Sequence, residues 1–389
     1  MTITLFSNFF NHHQKPLADE LYAKLGNNFT FVATSAMPEV FKDSGYNPFK
    51  DTPYVLPAYK SEEDHKKALQ LATDSDVVVH GAAPDSYLKN RLEKDKLTFR
   101  YSERIFKKSP LQKFNPRAFF HQYKKHTRFK NKNLHMLCSS AYTANDLNWI
   151  NAYPGKMYKW GYFTKTPKLD IDQVLAEKNS VFTILYVARL IDWKHPEMAI
   201  MLANSLKKKG HQFKMNIVGS GNMLERLTSM SKELNLENCV HFLGNIENEK
   251  VLQMMRNSHS FFFSSDRNEG WGAVANEAMA NGCALVASHK IGAIPYLVKP
   301  FNNGMVFQSE NLDHATQLME SLMNDKKLWG DLVKNAYDDI NHSWSPKNAA
   351  DNFLRLCDNL MNSKDDLILE GPCSKAFPTN NQWYKKETK

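Results

Sequence analysis

Short apolar runs alternate with longer amphipathic segments along nearly the whole chain. The runs in the first part predict five buried strands: Ile3 to Phe6, Phe29 to Ala33, Val77 to His80, Leu97 to Tyr101 and Leu134 to Cys138. The runs in the second part predict six more: Phe182 to Val187, Phe213 to Val218, Val240 to Leu243, Ser260 to Ser264, Ala284 to Ser288 and Met305 to Phe307. Helical patterns lie between them, for example Glu62 to Ala72 and Pro196 to Lys208. This alternation is typical of βαβ units in parallel sheets, so we predict an α/β chain with two Rossmann-like, doubly wound domains.

A polar stretch, Thr164 to Asp170, separates the two series of strands. We therefore place an N-terminal domain at residues 1–165 and a C-terminal domain at 166–345. Residues 346–389 are expected to form a closing helix and a polar tail that could pack back on the N-terminal domain.

Composition is that of an ordinary globular protein, with 42% hydrophobic and 23% charged residues among 389. Because no run of about 18 apolar residues occurs, we expect no spanning helix. The N-terminus lacks the basic region and apolar core of a secretory signal. Five scattered cysteines without Cys-x-x-Cys spacing favour reduced thiols in the cytoplasm and argue against a zinc site.

Positive charge is concentrated in one part of the chain. Residues 86–132 hold fifteen Lys and Arg but three acidic residues, an excess larger than the net +9 of the whole chain. Phe106, Phe114, Phe119, Phe120, Tyr123 and Phe129 are interleaved with them. Three interpretations remain open: a solvated basic face with its aromatics in the core, an anionic membrane surface as partner, or nucleic acid.

Two carboxylates, Glu269 and Glu277, lie eight positions apart around the turn Gly270-Trp271-Gly272. The predicted strand Ser260 to Ser264 precedes them, and the second carboxylate falls in a helical pattern. A strand, a glycine turn and a helix N-terminus favour an anionic ligand. A carboxylate further into the helix can accept hydrogen bonds from a sugar diol. The alternative is an ordinary βα unit with two solvated acids.

Three further loops follow predicted strands of the C-terminal domain, where a doubly wound sheet binds its ligand. Arg189 and Lys194 flank the first and could clamp a diphosphate, or could belong to an ordinary basic loop. Gly219-x-Gly221 would let backbone approach a phosphate or sugar, although it lacks the third glycine of the dinucleotide fingerprint. The turn after Leu243 could lie against a flat base, or be a plain βα turn.

Taken in order, these motifs resemble those of the GT-B glycosyltransferases that use nucleotide sugars, family 4 type. The likeness continues through Asn281 to Ser288, Gly292 to Pro295 and Asn303 to Phe307. It covers most of residues 180–345 and is much looser over the first 165 residues.

The resemblance implies that the C-terminal domain binds the donor, a nucleoside-diphosphate sugar. Arg189 and Lys194 would neutralise the leaving diphosphate, Glu277 would accept from the ribose hydroxyls, and Glu269 with the backbone of Gly270 to Gly272 would hold the transferred sugar. Leu243, Gly219, Gly221 and Trp271 would complete the donor site. Retention of anomeric configuration and independence of metal or other cofactors are also implied. We assign the metal-like pattern Asp74-Ser75-Asp76 to a helix-to-strand turn at the end of the sheet away from the ligand crevice.

Candidate residues facing the sugar or the acceptor in the N-terminal domain lie at its strand ends. His80 ends one strand and is a site residue or a structural histidine. Ser102 and Glu103 stand where relatives commonly carry a histidine; Glu103 could be the acceptor's base or a partner for Arg104. His12 lies in the loop after the first strand, which lacks the glycines common in the family.

We therefore expect a retaining, metal-independent glycosyltransferase, cytoplasmic or at the inner face of a membrane, that acts on a glycan or lipid-linked acceptor in bacterial surface-polysaccharide assembly. A nucleotide-sugar epimerase or hydrolase of the same fold is one alternative. A non-catalytic protein that binds nucleic acid through residues 86–132 is another, although the C-terminal motifs argue against a nucleic-acid partner.

Overall fold

The structure is a computed structural model that describes residues 1–38, 52–107 and 109–385. The chain divides into two compact units. The first contains Met1–Lys165 and Ser343–Thr379, and the second contains Thr166–His342 together with the chain from Asn380 onward. Residues 346–389, which we predicted to form a closing helix and a polar tail, are thus shared between the units. Their helix lies in the first unit and their last described residues lie in the second.

The first unit is built on a seven-stranded parallel sheet. Its strands are β1 (Ile3–Ser7), β2 (Phe29–Ala33), β3 (Val55–Pro57), β4 (Val77–His80), β5 (Thr98–Ser102), β6 (Leu134–Cys138) and β7 (Met157–Lys159). The spatial order β3-β2-β1-β4-β5-β6-β7 reverses between β1 and β4. Buried apolar side chains fill the space between this sheet and its helices.

Helices of the first unit connect successive strands. They are α1 (Lys15–Leu25), α2 (Glu62–Asp74), α3 (Lys89–Glu93), α4 (Pro116–Lys125) and α5 (Thr143–Trp149), joined by α14 (Pro346–Asn362) from the end of the chain. Helix α14 packs on α1, and Phe353 contacts Phe99 and Trp160 at ring centroid distances of 5.3 and 5.5 Å. The chain after α14 then runs antiparallel to β7, with Lys375 bridged to Tyr158.

The second unit has a six-stranded parallel sheet. Its strands are β8 (Phe182–Val187), β9 (Phe213–Val218), β10 (Val240–Gly244), β11 (Ser260–Phe263), β12 (Ala284–Ser288) and β13 (Met305–Phe307). The order β10-β9-β8-β11-β12-β13 reverses between β8 and β11. Since ligands of doubly wound sheets bind at such a reversal, the loops after β8 and β11 are the first place to look for a site.

Helices α6 to α13 belong to the second unit. They are α6 (Ile171–Ala176), α7 (Glu197–Lys208), α8 (Leu224–Glu233), α9 (Asn248–Asn257), α10 (Val274–Ala280), α11 (Ile294–Leu297), α12 (Leu312–Asn324) and α13 (Lys326–His342). In the described residues no helix is long and apolar enough to cross a membrane.

All eleven predicted strands form, with ends that differ by at most one residue. The structure adds the three-residue strands β3 and β7 at the two edges of the first sheet. Their sequences, Val55-Leu56-Pro57 and Met157-Tyr158-Lys159, are too short to show a strand pattern, so pairing with the neighbouring strand determines them.

Candidate functional site

Two loops of the second unit meet where its strand order reverses. The Ser264 hydroxyl, just after β11, donates to the carbonyl oxygens of Lys194 and His195 at 2.9 and 2.8 Å. The backbone N–H of Asp266 donates to the Trp193 carbonyl at 3.0 Å. These bonds hold the loop after β8 against the loop after β11.

Lys194 and Glu269 form an ion pair between these two loops, and their side chains are only 13% and 11% exposed. The ammonium of Lys194 also lies 4.3 Å from the centroid of the Trp193 ring. Arg189, by contrast, is exposed, and its guanidinium forms no ion pair among the described residues. The structure therefore brings two candidate residues into direct contact and leaves Arg189 available to an anion.

The turn between Glu269 and α10 is close-packed. Trp271 is fully buried, and its indole N–H donates to the Asn276 side-chain oxygen at 2.9 Å. Gly272 has a φ of 90°, and a Cβ there would lie 2.8 Å from the Phe263 ring. Gly270 is buried as well. The indole of Trp271 is thus part of the core, and this turn can offer a ligand its backbone but not that side chain.

Glu277 lies in the first turn of α10, a seven-residue helix. Its carboxylate accepts no hydrogen bond and forms no ion pair within the described residues. Burial without a compensating partner raises its pKa to about 7. A hydroxyl donated by a ligand would supply the missing interaction.

The two glycines after β9 are required by the neighbouring backbone. A Cβ on Gly219, whose φ is 127°, would lie 1.9 Å from the Ala188 carbonyl oxygen, and one on Gly221 would lie 2.2 Å from that of Leu190. The N–H of Leu190 donates to the Ser220 carbonyl at 2.8 Å. These glycines therefore shape the loop that carries Arg189 and Lys194.

Leu243 lies in β10 at the edge of the sheet, 41% exposed, where the pairing with β9 becomes irregular. A ligand could reach its side chain without any rearrangement of the core.

His195 is a residue of this site that the sequence analysis did not select. Its φ of 49° is left-handed, its Nδ1 lies 2.9 Å from Glu197, and its Nε2 lies 3.7 Å from Asp266. Asp266 and Glu197 together raise its pKa to about 10, so the ring is positively charged at neutral pH. The acid two positions after His195 was visible in the sequence, but Asp266 comes close only in the fold.

In the first unit, a cavity of about 320 Å³ opens at the carboxyl ends of β4 and β5. His80, Ser102 and Glu103 line it, whereas His12 does not. His80 is buried, with Nε2 3.1 Å from the Pro84 carbonyl. Burial and the charge of Arg100 lower the His80 pKa to about 4, so the ring is neutral.

Glu103 has partners other than Arg104. It forms an ion pair with Lys107 and accepts from the Tyr162 hydroxyl at 2.7 Å. Arg104 instead pairs with Asp146 at 3.1 Å, so the interpretation of Glu103 as its partner is wrong. Ser102 donates to the backbone carbonyl of Glu103 at 2.9 Å.

His12 is exposed and packs on His13, with 3.8 Å between the ring centroids. Three of the four candidate side chains of this unit therefore share a cavity, and the fourth, His12, lies in the loop between β1 and α1.

The basic window, residues 86–132, divides into buried and exposed parts. Arg91 is fully buried and donates to four backbone carbonyls and to Thr98. Phe106 is buried as well, whereas Phe114, Phe120 and Tyr123 are 60%, 61% and 43% exposed. Burial therefore explains only part of the window, and an exposed basic and aromatic surface remains around α4. Lys108, which the sequence analysis counted in this window, lies outside the described residues.

Asp74, Ser75 and Asp76 connect α2 to β4 at the amino end of that strand, as predicted. Asp76 accepts from the backbone of Thr2 at 2.7 Å. Within the described parts of the chain no group of three or more His, Cys, Asp or Glu is arranged to hold a metal ion.

The second unit is similar to known proteins. Residues 167–339 match the family model of glycosyl transferases group 1. An uncharacterized glycosyltransferase of Haemophilus influenzae is 28% identical over 147 residues, which cover 38% of this chain and 41% of that protein. The poly(ribitol-phosphate) alpha-N-acetylglucosaminyltransferase of Staphylococcus aureus is 24% identical over 44% of this chain and 34% of its own length. The chain thus spans less than half the length of either relative.

The fold is shared over nearly the whole chain. The crystal structure of HepE from Anabaena, in complex with UDP, superposes with a TM-score of 0.68 at 16% identity and covers 94% of this chain and 100% of that one. Residues 167–339 are therefore similar to the glycosyl transferases group 1 family, and the chain has the GT-B fold of two Rossmann-like units.

Proposed function

We propose that the protein is a retaining, metal-independent glycosyltransferase that moves a sugar from a nucleoside diphosphate to an acceptor hydroxyl. The observation that carries this proposal is the Lys194–Glu269 ion pair at the strand-order reversal of the second unit. It places a cation and a carboxylate together where a doubly wound sheet binds its ligand.

Cleavage of a sugar–phosphate bond builds negative charge on the diphosphate and positive character on the sugar. Arg189, exposed and without an acidic partner among the described residues, can contact the diphosphate, and Lys194 can exchange Glu269 for it. Glu269 would then face the sugar. Fixed charges of this kind stabilise the transition state without a metal ion.

Glu277 fits the ribose of the donor. Its carboxylate is largely buried and accepts nothing in the described residues, so two sugar hydroxyls could donate to it. The binding of UDP by HepE makes uridine nucleotides the first donors to test.

The context we propose is bacterial surface-polysaccharide assembly at the inner face of the membrane. The S. aureus relative acts on poly(ribitol-phosphate). The exposed aromatic and basic side chains around α4 are of the kind that bind anionic lipid surfaces. A protein that acts at a lipid-linked acceptor would benefit from such a surface.

A thermal-shift panel of nucleoside diphosphates and their sugars tests the donor site. It should include wild type, Glu277→Ala and the control Glu233→Ala, which removes an exposed acid from α8. Ligand at ~100 times its Kd stabilises the folded state by about 2.7 kcal/mol. We expect a rise in Tm for one base in wild type and control, and a much smaller rise in Glu277→Ala.

No rise with any nucleotide, together with tight binding to a polynucleotide, would contradict the transferase and favour the nucleic-acid alternative. For an active preparation, unchanged turnover in EDTA supports metal independence. The anomeric configuration of the product, read by NMR, distinguishes retention from inversion. Free sugar or an epimerised nucleotide sugar as the sole product would favour the hydrolase or epimerase alternative.

A further inference from the structure

The cavity at the carboxyl ends of β4 and β5 is lined by an unusual number of cations. Arg100, Arg104, Lys107 and Lys125 line it, against the single carboxylate of Glu103. Lining residues of this composition give a positive potential inside a small, partly enclosed volume, where charges are poorly screened.

Three of these cations already have acidic partners. Arg100 pairs with Asp85 at 2.9 Å, and Arg104 pairs with Asp146 at 3.1 Å. Lys107 pairs with Glu103. Lys125, the last residue of α4, forms no ion pair within the described part of the chain.

Two buried polar groups beside the cavity have no hydrogen-bond partner among the described residues. They are the Nε–H of Arg100, which is only 4% exposed, and the Nδ1 of His80, which is 1% exposed. Burial together with the charges of Arg100 and Lys125 lowers the pKa of His80 to about 4 and that of His126 to about 3. Both histidines are therefore neutral, and the positive charge of the cavity comes from its Arg and Lys side chains.

We propose that this cavity binds an anionic group, a phosphate or a carboxylate, carried by the acceptor, with Lys125 as its principal cationic contact. This inference rests on the proposed transferase function, because it specifies the acceptor in chemical terms. An anion in the cavity would supply the acidic partner that Lys125 lacks.

The test uses inorganic phosphate and acetate as probes, at constant ionic strength with chloride and with UDP present to occupy the donor site. Near pH 5 His80 is mostly neutral, and an anion nearby would raise its pKa and protonate it. The imidazole C2 proton signals of His80 and His126, assigned on isotope-labelled protein, report this directly. Wild type is compared with Lys125→Gln and with Lys66→Gln, which removes the same charge from an exposed position on α2.

We expect a saturable shift in wild type and Lys66→Gln, with binding weakened roughly tenfold or more in Lys125→Gln, the effect of losing about 1.4 kcal/mol of interaction. Tighter binding of phosphate than of acetate would indicate that the acceptor carries a phosphate group. Tighter binding of acetate would indicate that it carries a carboxylate. Equal binding by the two variants, or no saturable shift with either probe, overturns the proposal. UDP binding, measured on the same samples by thermal shift, tests the transferase separately, since Lys125 is in the first unit and the nucleotide motifs are in the second.

Discussion

The ammonium of Lys194 donates to the carboxylate of Glu269, and the two residues follow different strands on either side of the point where the second sheet reverses its order. In the sequence they are 75 positions apart. Each neutralises the other while no ligand is bound. A diphosphate that contacts Lys194 would compete with Glu269 for this ammonium, which would couple the two charges of the proposed reaction.

This coupling is measurable in a double-mutant cycle. Lys194→Met leaves a largely buried carboxylate without its cation, and we expect a loss of about 1–3 kcal/mol in the free energy of unfolding. Adding Glu269→Gln should restore part of it, as measured by urea denaturation. The same cycle on the exposed pair Lys327–Asp331 should give a much smaller coupling, because solvent screens the two charges. Additive effects at Lys194 and Glu269 would show that the pair is not formed in solution.

Glu277 should make stability fall with rising pH. Its folded pKa of about 7 exceeds the ordinary value of 4.5, so between these values the folded state holds a proton that the unfolded state has lost. Relative to Glu277→Gln, wild type should lose on the order of 3 kcal/mol between about pH 4.5 and 7 and little beyond. Parallel denaturation curves for the two proteins over this range would show that the carboxyl titrates normally.

Nucleotide binding should displace the proton of Glu277. Ribose hydroxyls that donate to its carboxylate favour the charged form and lower the pKa. Calorimetry near pH 7, in buffers of different ionisation enthalpy, should therefore show proton release with wild type and markedly less with Glu277→Gln. Proton release of equal size in both would assign it to another group.

His195 should stabilise the protein in its positively charged form. Asp266 and Glu197 raise its pKa to about 10, above the ordinary 6.5, so its contribution is complete below pH 6.5 and is lost as pH rises towards 10. Against His195→Gln we expect wild type to be more stable by on the order of 2 kcal/mol at pH 6, after allowance for solvent screening, and by less at pH 9. Urea denaturation at both pH values measures it; a difference that does not change with pH would contradict the charged pairing.

Gly219 and Gly330 offer a matched pair of glycine substitutions. Alanine at Gly219 would meet backbone oxygen at 1.9 Å, whereas alanine at Gly330, within α13, meets nothing within 4 Å. We expect Gly219→Ala to destabilise the protein by more than about 2 kcal/mol. Gly330→Ala should stabilise it by about 0.5–1 kcal/mol through helix propensity. Thermal or urea denaturation decides; a tolerated alanine at Gly219 would mean that its loop can move away.

The surface around α4 should bind anionic vesicles. Phe120 and Tyr123 project from the helix, and Lys113 lies 4.5 Å from the ring centroid of the exposed Trp149. We expect sedimentation with phosphatidylserine-containing vesicles, weakened by salt and by Phe120→Ala with Tyr123→Ala. Leu369→Ala, which removes an 83% exposed side chain elsewhere, is the control. Equal sedimentation of all variants, or none at low salt, would contradict a membrane role for this surface.

The alternation of apolar runs determined the fold class because a strand buried on both faces must be apolar throughout. Strands such as Val77–His80 and Ala284–Ser288 therefore stand out in the sequence. The glycines at 219, 221 and 272 could be found for a related reason, since their backbone conformations or close neighbours admit almost no side chain. Local sequence carries both signals.

Contacts between distant segments could be found only in the tertiary structure. Arg104 with Asp146, His195 with Asp266, and the neutral His80 beside Arg100 depend on which loops the sheets bring together. The basic window likewise gave no indication that Arg91 is buried while Phe120 is exposed. Charge pairing and burial depend on distances in space, so the sequence determined the architecture and the motifs, and the fold decided which of their side chains are paired, buried or available to a ligand.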